Sequence, residues 1–186
     1  NNVLGIPLIE LQSGLMPQWQ QNIKRMLDIV ASIITIIILI PLFIYTAVRV
    51  KISSRGSLFY LQERIGYKGR PFTMIKFRSM VPDAEKNGPE LSSDHDPRIT
   101  KWGKVMRKWR LDELPQLWNI IKGEMSLVGP RPHMLKHTTD YSKLVDDYMI
   151  RQFLKPGITG WAQVNGFRGE ITNPDQIKMR VNKDLW

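Results

Sequence analysis

An adjacent pair of carboxylates, Asp112 and Glu113, is the group in this sequence most suited to chemistry. The pair precedes the run LPQLWNIIKG, whose pattern predicts a helix with Asp112 as its N-cap, Pro115 in its first turn and Gly123 at its end. A carboxylate at such a position lies where backbone amides and the helix dipole stabilise anions. The alternative is that Asp112 only caps the helix while Glu113 is solvated. The residues predicted to face the core are Leu114, Leu117, Trp118 and Ile121.

Cationic loops rich in glycine and proline could supply phosphate contacts near this pair. Arg131 lies in VGPRP, where two flanking prolines restrict the loop and direct a guanidinium, the group suited to bidentate phosphate contact. Lys76 and Arg78 lie in KFRSM, and the segments 155–160 (KPGITG) and 163–170 (QVNGFRGE) add further cations. The combination predicts phosphate chemistry beside a carboxylate pair.

The composition limits the classes of function. With 186 residues the chain has room for one catalytic domain, and 42% hydrophobic residues are enough for a packed core. A net charge of +10 favours an anionic partner: nucleic acid, a phosphorylated small molecule or an acidic lipid surface. The absence of cysteine excludes disulfides, Cys-ligated zinc and thiol nucleophiles. The three histidines, His95, His133 and His137, argue against a His-rich metal site.

One apolar stretch, residues 29–48, predicts contact with a membrane. Its 20 residues carry no charge, and a straight helix of that length would just cross a hydrocarbon core of ~30 Å. Pro41 lies inside the stretch, where it removes a backbone hydrogen bond. Basic residues flank both ends: Lys24, Arg25, Arg49 and Lys51. The positive-inside tendency therefore favours a helix that is broken at Pro41 and returns to the same side, with a kinked transmembrane helix or a buried soluble helix as alternatives.

The remaining segments carry weaker patterns. Residues 58–77 alternate around a glycine-rich turn and predict a β-hairpin, and residues 81–98 read as a loop. Residues 99–110 predict a helix, which could lie in the lipid headgroups or pack its tryptophan face on the core. That face comprises Trp102, Val105, Met106 and Trp109, and the opposite face comprises Lys101, Lys104, Arg107 and Lys108. A further core-forming helix is predicted over 141–153, ending before Pro156.

Together these motifs resemble those of the bacterial sugar transferase family, the monotopic phosphoglycosyl transferases that start glycan assembly on polyprenol phosphate. The resemblance runs from about Lys24 to Trp186 through KRMLD, QERIGYKGRPFTMIKFRSM, DPRITKWGKVMRKWRLDELPQLWNIIKGEMSLVGPRP and KPGITGWAQVNG. It implies a helix-rich α+β fold with a re-entrant membrane helix broken at Pro41, amphipathic interfacial helices and a small β-hairpin. We therefore expect a connecting arm (1–21), the re-entrant helix (22–50) and a catalytic domain (51–186) on the cytoplasmic face of the bacterial inner membrane.

The family resemblance also implies a reaction in two steps. Asp112 would attack the β-phosphorus of a UDP-sugar and release UMP, leaving a covalent aspartyl-phosphosugar intermediate. Polyprenol (undecaprenyl) phosphate would then take the phosphosugar and give a polyprenyl diphosphate sugar. Glu113 would help hold Mg²⁺, which neutralises phosphate charge. Whether Glu113 also activates the lipid phosphate stays open.

Further residues match the family's motifs and are expected to contact substrate phosphate or nucleotide, or to support the metal: Lys76, Arg78, Arg98, Arg131, Arg168 and Asp184. Two positions depart from the family pattern. Ile40 replaces the Ser or Thr that usually precedes the proline break, and Lys155 replaces the arginine of RPGITG. The segment 7–12 (PLIELQ) resembles the linker of long family members, which carry transmembrane helices and a nucleotide-fold-like domain upstream. We therefore expect that the chain is a fragment.

Two other classes of function compete with the transferase. A membrane-tethered nucleic-acid binder would fit the charge and the tryptophans, but no nucleic-acid motif appears and the cations are dispersed. A non-catalytic assembly scaffold would fit the family but not its intact Asp–Glu pair. The sequence does not identify the sugar or the polyprenol, and it leaves the oligomeric state open, with a homodimer as one option.

Overall fold

The computed structural model of the protein describes residues 2–3, 6–7, 17–84, 96–132, 146–167 and 174–185. The helices are α1 (Gln18–Ser53), α2 (Lys101–Trp109), α3 (Gln116–Lys122), α4 (Trp161–Val164) and α5 (Pro174–Leu185). The strands are β1 (Asn2–Val3), β2 (Ile6–Pro7), β3 (Phe59–Ile65), β4 (Pro71–Phe77), β5 (Ser126–Val128) and β6 (Gly157–Thr159). Short 3₁₀ segments lie at Tyr67–Gly69, Leu111–Glu113 and Asp146–Phe153. These elements confirm a helix-rich α+β fold with a small hairpin.

The long apolar helix predicted near the N-terminus is α1. Among the described residues it is the one helix long and apolar enough to cross a membrane, and only 11% of its most apolar 18-residue window is buried. It begins at Gln18, inside the predicted arm, and ends three residues beyond the predicted boundary at 50. Pro41 lacks an amide N–H, yet the helix is continuous across it. The structure therefore does not confirm a break at Pro41.

One stripe of α1 packs along the domain over most of the helix. Its buried residues are Asp28, Ser32, Thr46 and Val50, and its partly buried residues that contact the core are Ile36, Phe43 and Ala47. Spacings of three and four residues place such a set on one face of a helix. The stripe contacts α2, α3 and β5, so that both ends of α1 lie against the same domain.

Among the described residues, two apolar clusters of the core are joined through α1. The first comprises Phe72, Met74, Leu117, Ile120 and Met125, and the second comprises Val50, Phe77 and Met106. Phe43 of α1 packs against both clusters. Because the hairpin and α3 both contribute to the first cluster, burial of apolar surface holds these two elements together.

The predicted hairpin is confirmed. β3 and β4 pair antiparallel from Phe59 opposite Phe77 to Ile65 opposite Pro71. The outer edge of β4 is closed by a side chain from α3. Asn119 Nδ2 donates to the carbonyl of Thr73 at 2.7 Å, and its Oδ1 accepts from the amide of Ile75 at 3.0 Å. The buried side-chain amide of Asn119 thus satisfies the backbone groups at this edge, as a neighbouring strand would, and fixes β4 relative to α3.

β5 and β6 form a parallel pair that leads into the loop of Arg131. Ser126 pairs with Gly157 and Val128 with Thr159. The backbones then pass so closely that a Cβ on Gly157 would lie 2.2 Å from the amide nitrogen of Gly129. Only glycine therefore fits at this crossing.

Other predictions about the elements have mixed outcomes. The helix predicted over 99–110 is confirmed as α2, but its face is divided, since Trp102 and Met106 are wholly or partly buried whereas Val105 and Trp109 are exposed. Of the helix predicted over 141–153, residues 141–145 lie outside the described residues, and Asp146–Phe153 forms a 3₁₀ helix. Of the loop predicted over 81–98, residues 85–95 also lie outside them.

The core stripe predicted for α3 is partly wrong. Leu117 is buried, but Trp118 is 54% exposed, and the apolar residue of α3 that is fully buried is instead Ile120. The helix begins later than predicted, at Gln116. With so few turns, its orientation is decided by packing on β4 and α1 and not by its own periodicity.

Candidate active site

The two carboxylates lie in the turn between α2 and α3. Arg110 adopts a left-handed conformation, with φ 58°, which ends α2 and starts the 3₁₀ segment that holds Asp112 and Glu113. The prediction that Asp112 caps the following helix is wrong, because Pro115 precedes the first residue of α3 and no side chain in the described part of the chain caps that helix. Glu113 is not solvated, since both carboxylates are buried.

Glu113 is surrounded by three basic side chains. Arg131 Nη2 donates to its Oε1 at 2.8 Å, and the same oxygen lies 3.4 Å from Arg110 Nη1 and 3.6 Å from Lys76 Nζ. Burial alone would raise the pKa of Glu113, but the charges of Arg131 and Lys76 outweigh it, so that the pKa is about 2. Glu113 is therefore an ionised carboxylate at neutral pH.

Asp112 has the opposite environment. Its Oδ1 is buried and has no hydrogen-bond partner in the part of the chain that the structure describes. Burial raises its pKa, and the nearby charge of Lys76 opposes that shift. A carboxylate oxygen that is poorly solvated and has unshared lone pairs is well suited to act as a nucleophile.

Lys76 is positioned by the hairpin. It lies on β4, whose edge Asn119 fixes against α3, and its side chain is mostly buried. Burial lowers the pKa of Lys76 to about 8, although Glu113 raises it. The hairpin thus holds the ammonium group next to Asp112 and Glu113, which together are called the dyad. The dyad itself lies on a different element, the turn between α2 and α3.

Arg131 is positioned by the crossing of β5 and β6. The carbonyl of Pro130 accepts from the amide of Gly157 at 2.9 Å, and the carbonyl of Arg131 accepts from Arg151 Nη2, also at 2.9 Å. The side chain of Arg131 remains 33% exposed while one of its nitrogens binds Glu113. It can therefore meet a ligand without leaving the site.

The other residues expected to bind substrate have partners inside the protein. Asp184 binds Arg151 at 2.7 Å, and Arg98 forms an ion pair with Asp96, also at 2.7 Å. Arg78 donates to the carbonyl of Ser54 at the end of α1. Arg168 lies outside the described residues.

Sequence patterns missed four residues that build the site. The positive charge of Arg107 opposes the burial that raises the pKa of Asp112, and the Arg107 side chain donates to Ser79 Oγ. Arg110 approaches Glu113. Asn119 holds β4, and Arg151 holds the loop of Arg131. Arg107 was predicted only as part of the basic face of α2, and Arg110 was not singled out. Neither the buried amide nor the buried arginine has a local sequence signal, because their partners lie far away in the chain.

Magnesium can be tested against these side chains. The described residues contain no group of three or more His, Cys, Asp or Glu side chains that could hold a metal alone. Mg²⁺ is commonly held by one or two carboxylates together with substrate phosphates, which is the donor set that the dyad and a diphosphate would provide. The unpaired Oδ1 of Asp112 fits such a role, whereas Oε1 of Glu113 is occupied by cations. The three histidines lie outside the described residues.

Comparisons with known proteins identify relatives that are similar to this chain over most of its length. A curated relative from Xanthomonas campestris pv. campestris, a UDP-glucose:undecaprenyl-phosphate glucose-1-phosphate transferase, is 45% identical over 183 residues, covering 97% of this chain and 38% of the relative. A UDP-N-acetylgalactosamine-undecaprenyl-phosphate N-acetylgalactosaminephosphotransferase from Aeromonas hydrophila is 42% identical, covering 88% of this chain and 38% of the relative. An exopolysaccharide production protein from Rhizobium leguminosarum bv. phaseoli is 36% identical, covering 88% and 84%.

The chain thus spans about two fifths of the length of the first two relatives. The model of one family, described as bacterial sugar transferase, matches residues 19–186, which include all but the first residue of α1, the dyad and the loop of Arg131. A match over nearly the whole chain, together with the identities above, shows that this protein belongs to the bacterial sugar transferase family.

Proposed function

We propose that the protein transfers a phosphosugar from a UDP-sugar to undecaprenyl phosphate and releases UMP. The observation that carries the proposal is the dyad, in which a buried and unpaired Asp112 oxygen lies beside a Glu113 that is surrounded by cations. The names of the relatives, which are sugar-phosphate transferases acting on undecaprenyl phosphate, support the same reaction. The sugars named for these relatives, glucose and N-acetylgalactosamine, differ at similar identity, so the sugar is left open.

In the first step an oxygen of Asp112 attacks the sugar-bearing β-phosphorus. A carboxylate–phosphorus bond forms, the bond from that phosphorus to the bridging oxygen breaks, and UMP leaves with the electron pair. Lys76 and Arg131 lie where negative charge develops on the phosphoryl oxygens, and such preorganised cations stabilise the transition state. The partial exposure of Arg131 allows it to contact the diphosphate directly.

In the second step an oxygen of the lipid phosphate attacks the phosphorus of the aspartyl-phosphosugar. The bond to Asp112 breaks, the carboxylate is regenerated, and the polyprenyl diphosphate sugar leaves. Both steps take place beside α1, whose exposed apolar surface would keep the lipid carrier close to the site. The product would start the assembly of an exopolysaccharide, capsule or other glycan.

The remaining residues have supporting roles in this proposal. Glu113, through its oxygen other than the Oε1 that the cations contact, and the carboxylate of Asp112 would hold Mg²⁺, which when bound would neutralise charge on the diphosphate. Arg78, Arg98 and Asp184 would support the scaffold through their partners, and Arg168 remains a predicted nucleotide or phosphate contact.

Membrane attachment through α1 would be re-entrant from the cytoplasmic face of the inner membrane. The start of α1 is tied to α3, where Arg25 donates to the carbonyl of Ile121 at 2.8 Å. The end of α1 is tied to the same domain, where Arg78 donates to the carbonyl of Ser54 at 2.7 Å. Attachment of both ends to one domain argues against a simple crossing, and entry and return would require α1 to bend at Pro41 in the membrane.

The test is UMP release by the purified chain with Mg²⁺, a panel of UDP-sugars and a short polyprenol phosphate. Without the acceptor we expect at most one UMP per protein, and with the acceptor we expect repeated turnover. Asp112→Asn should abolish both, whereas the exposed Glu63→Gln serves as the matched acid-to-amide control and should leave both unchanged. Continued turnover without acceptor would instead indicate a hydrolase, and an active Asp112→Asn would contradict the mechanism.

A further inference from the structure

A buried ion pair lies directly behind the loop of Arg131. Arg151 Nη2 donates to Asp184 Oδ2 at 2.7 Å and also to the backbone carbonyl of Arg131 at 2.9 Å. The two side chains of the pair are only 5% and 2% exposed. Neither can contact a diphosphate in solution, so any effect on the reaction must pass through a neighbour.

That neighbour is already fixed on its other side. The carbonyl of Pro130 accepts from the amide of Gly157. The bond from Arg151 then fixes the carbonyl of the following residue, Arg131 itself. With two successive carbonyls held, the Cα of Arg131 has little freedom, and its side chain starts from a defined point toward Glu113 at 2.8 Å. The chain of contacts runs from Asp184 through Arg151 and Arg131 to Glu113.

The electrostatics fit a positioning role. Burial raises the pKa of Asp184, and the charge of Arg151 opposes that shift. A guanidinium can serve two acceptors in a fixed geometry, which an ammonium on a flexible stem does less well. The pair thus presents a rigid donor to a backbone atom and adds no mobile charge to the site.

We propose that Arg151, with Asp184 as its counter-ion, is a positioning residue that orients Arg131 for phosphoryl transfer. This inference rests on the proposed function. Asp184 would then act on Arg131 through Arg151, and it would not itself bind the substrate. Displacement of a charged group by about 1 Å can cost ~100-fold in rate, so the effect should be measurable.

The test is a double-mutant cycle on kcat/KM for UMP release, with melting temperatures measured in parallel. Arg151→Gln should lower kcat/KM about 10- to 100-fold. In an Arg131→Gln background, where no guanidinium remains to be oriented, the same change should cost less than about 3-fold. Lys183→Gln, an exposed charge removal on the same helix as Asp184, is the control and should have no effect.

Loss of one partner of a buried pair can prevent folding, so a second variant removes both charges. Arg151→Gln combined with Asp184→Asn should fold and should show the same dependence on Arg131. If kcat/KM falls by the same factor in the wild-type and Arg131→Gln backgrounds, the inference is overturned, since the effect would then be independent of Arg131. A wild-type chain that releases no UMP would instead refute the proposed function, and the inference with it.

Discussion

At the residue scale, adjacent carboxylates acquire opposite properties from their surroundings. Asp112 is buried and has an unpaired oxygen, so its pKa is raised, whereas three cations hold the pKa of Glu113 at about 2. Environments that separate the pKa values of two like groups commonly separate their roles. In the proposed reaction this asymmetry would suit Asp112 to nucleophilic attack and Glu113 to holding charge.

The cations around Glu113 should differ in importance according to their burial. Lys76→Gln should lower kcat/KM for UMP release by about 100-fold or more, because a buried charge beside the phosphoryl group is lost. Arg110→Gln should cost less than about 3-fold, because the Arg110 side chain is 53% exposed and exposed ion pairs contribute little. Equal losses, or a larger loss for Arg110, would contradict this view of the site.

Arg98 offers a prediction about stability. Hydrogen bonds from Arg98 lower the pKa of Asp96 from 3.8 to about 2, so this pair stabilises the folded state above pH 3.8. The contribution is lost as the pH falls from about 4 to about 2, when the folded-state carboxylate becomes protonated. Asp96→Asn should therefore show a smaller drop in melting temperature between pH 5 and pH 2 than the wild type. An unchanged drop would show that the pair does not contribute.

At the element scale, the start of α1 is part of the scaffold of the site. Asp28 accepts from the amide of Leu127 at 3.2 Å and from Ser126 Oγ at 2.7 Å, which closes the free edge of β5. Lys24 Nζ lies 3.1 Å from the same carboxylate. Because β5 leads directly into the loop of Arg131, these polar contacts from α1 help to fix the start of that loop.

Asp28→Ala should leave these donors without their acceptor. Hydrogen bonds to charged groups contribute about 1.5–3 kcal/mol each, so we expect a loss of about 2 kcal/mol and a melting temperature lower by about 4–8 °C. Differential scanning fluorimetry in detergent measures the shift. Ser57→Ala, at an exposed position after α1, is the control. A shift no larger than that of the control would show that the network is not stabilising.

Elements could be predicted from the sequence where periodicity reports burial. The alternation in 58–77 gave the hairpin, and the spacing in 99–110 gave α2. The pattern failed around the dyad, because Leu111–Glu113, between the left-handed Arg110 and the proline before α3, forms a 3₁₀ turn where a capped helix was expected. It also predicted that Trp118 faces the core, where the structure places Ile120, since the packing of a short helix is decided by distant elements.

For the candidate site, the sequence supplied residue types and motifs but not their arrangement. Lys76 and Arg131 were predicted beside the dyad and lie there. Arg151 was missed because its partners, Arg131 and Asp184, are 20 and 33 residues away in the chain. Such contacts follow only from the packed fold.

At the scale of the whole molecule, both ends of α1 are bound to one domain while most of its apolar surface remains exposed. The chain contains no cysteine, so single cysteines can report its topology without background. Asn22→Cys and Ser57→Cys should both react with a membrane-impermeant thiol reagent in inverted vesicles and not in spheroplasts. Ile37→Cys, in the apolar middle of α1, should react in neither. Labelling of the two ends from opposite sides would instead indicate a simple crossing.

The proposed mechanism requires that Asp112 becomes covalently attached to the phosphosugar. Intact-protein mass spectrometry after incubation with UDP-sugar and Mg²⁺, without lipid acceptor, measures this directly. We expect wild-type protein to gain the mass of one phosphosugar, with the modification on Asp112, and to lose it when polyprenol phosphate is added. Asp112→Asn should gain nothing. UMP release and lipid product without any adduct on wild type, or an adduct on Asp112→Asn, would contradict the account.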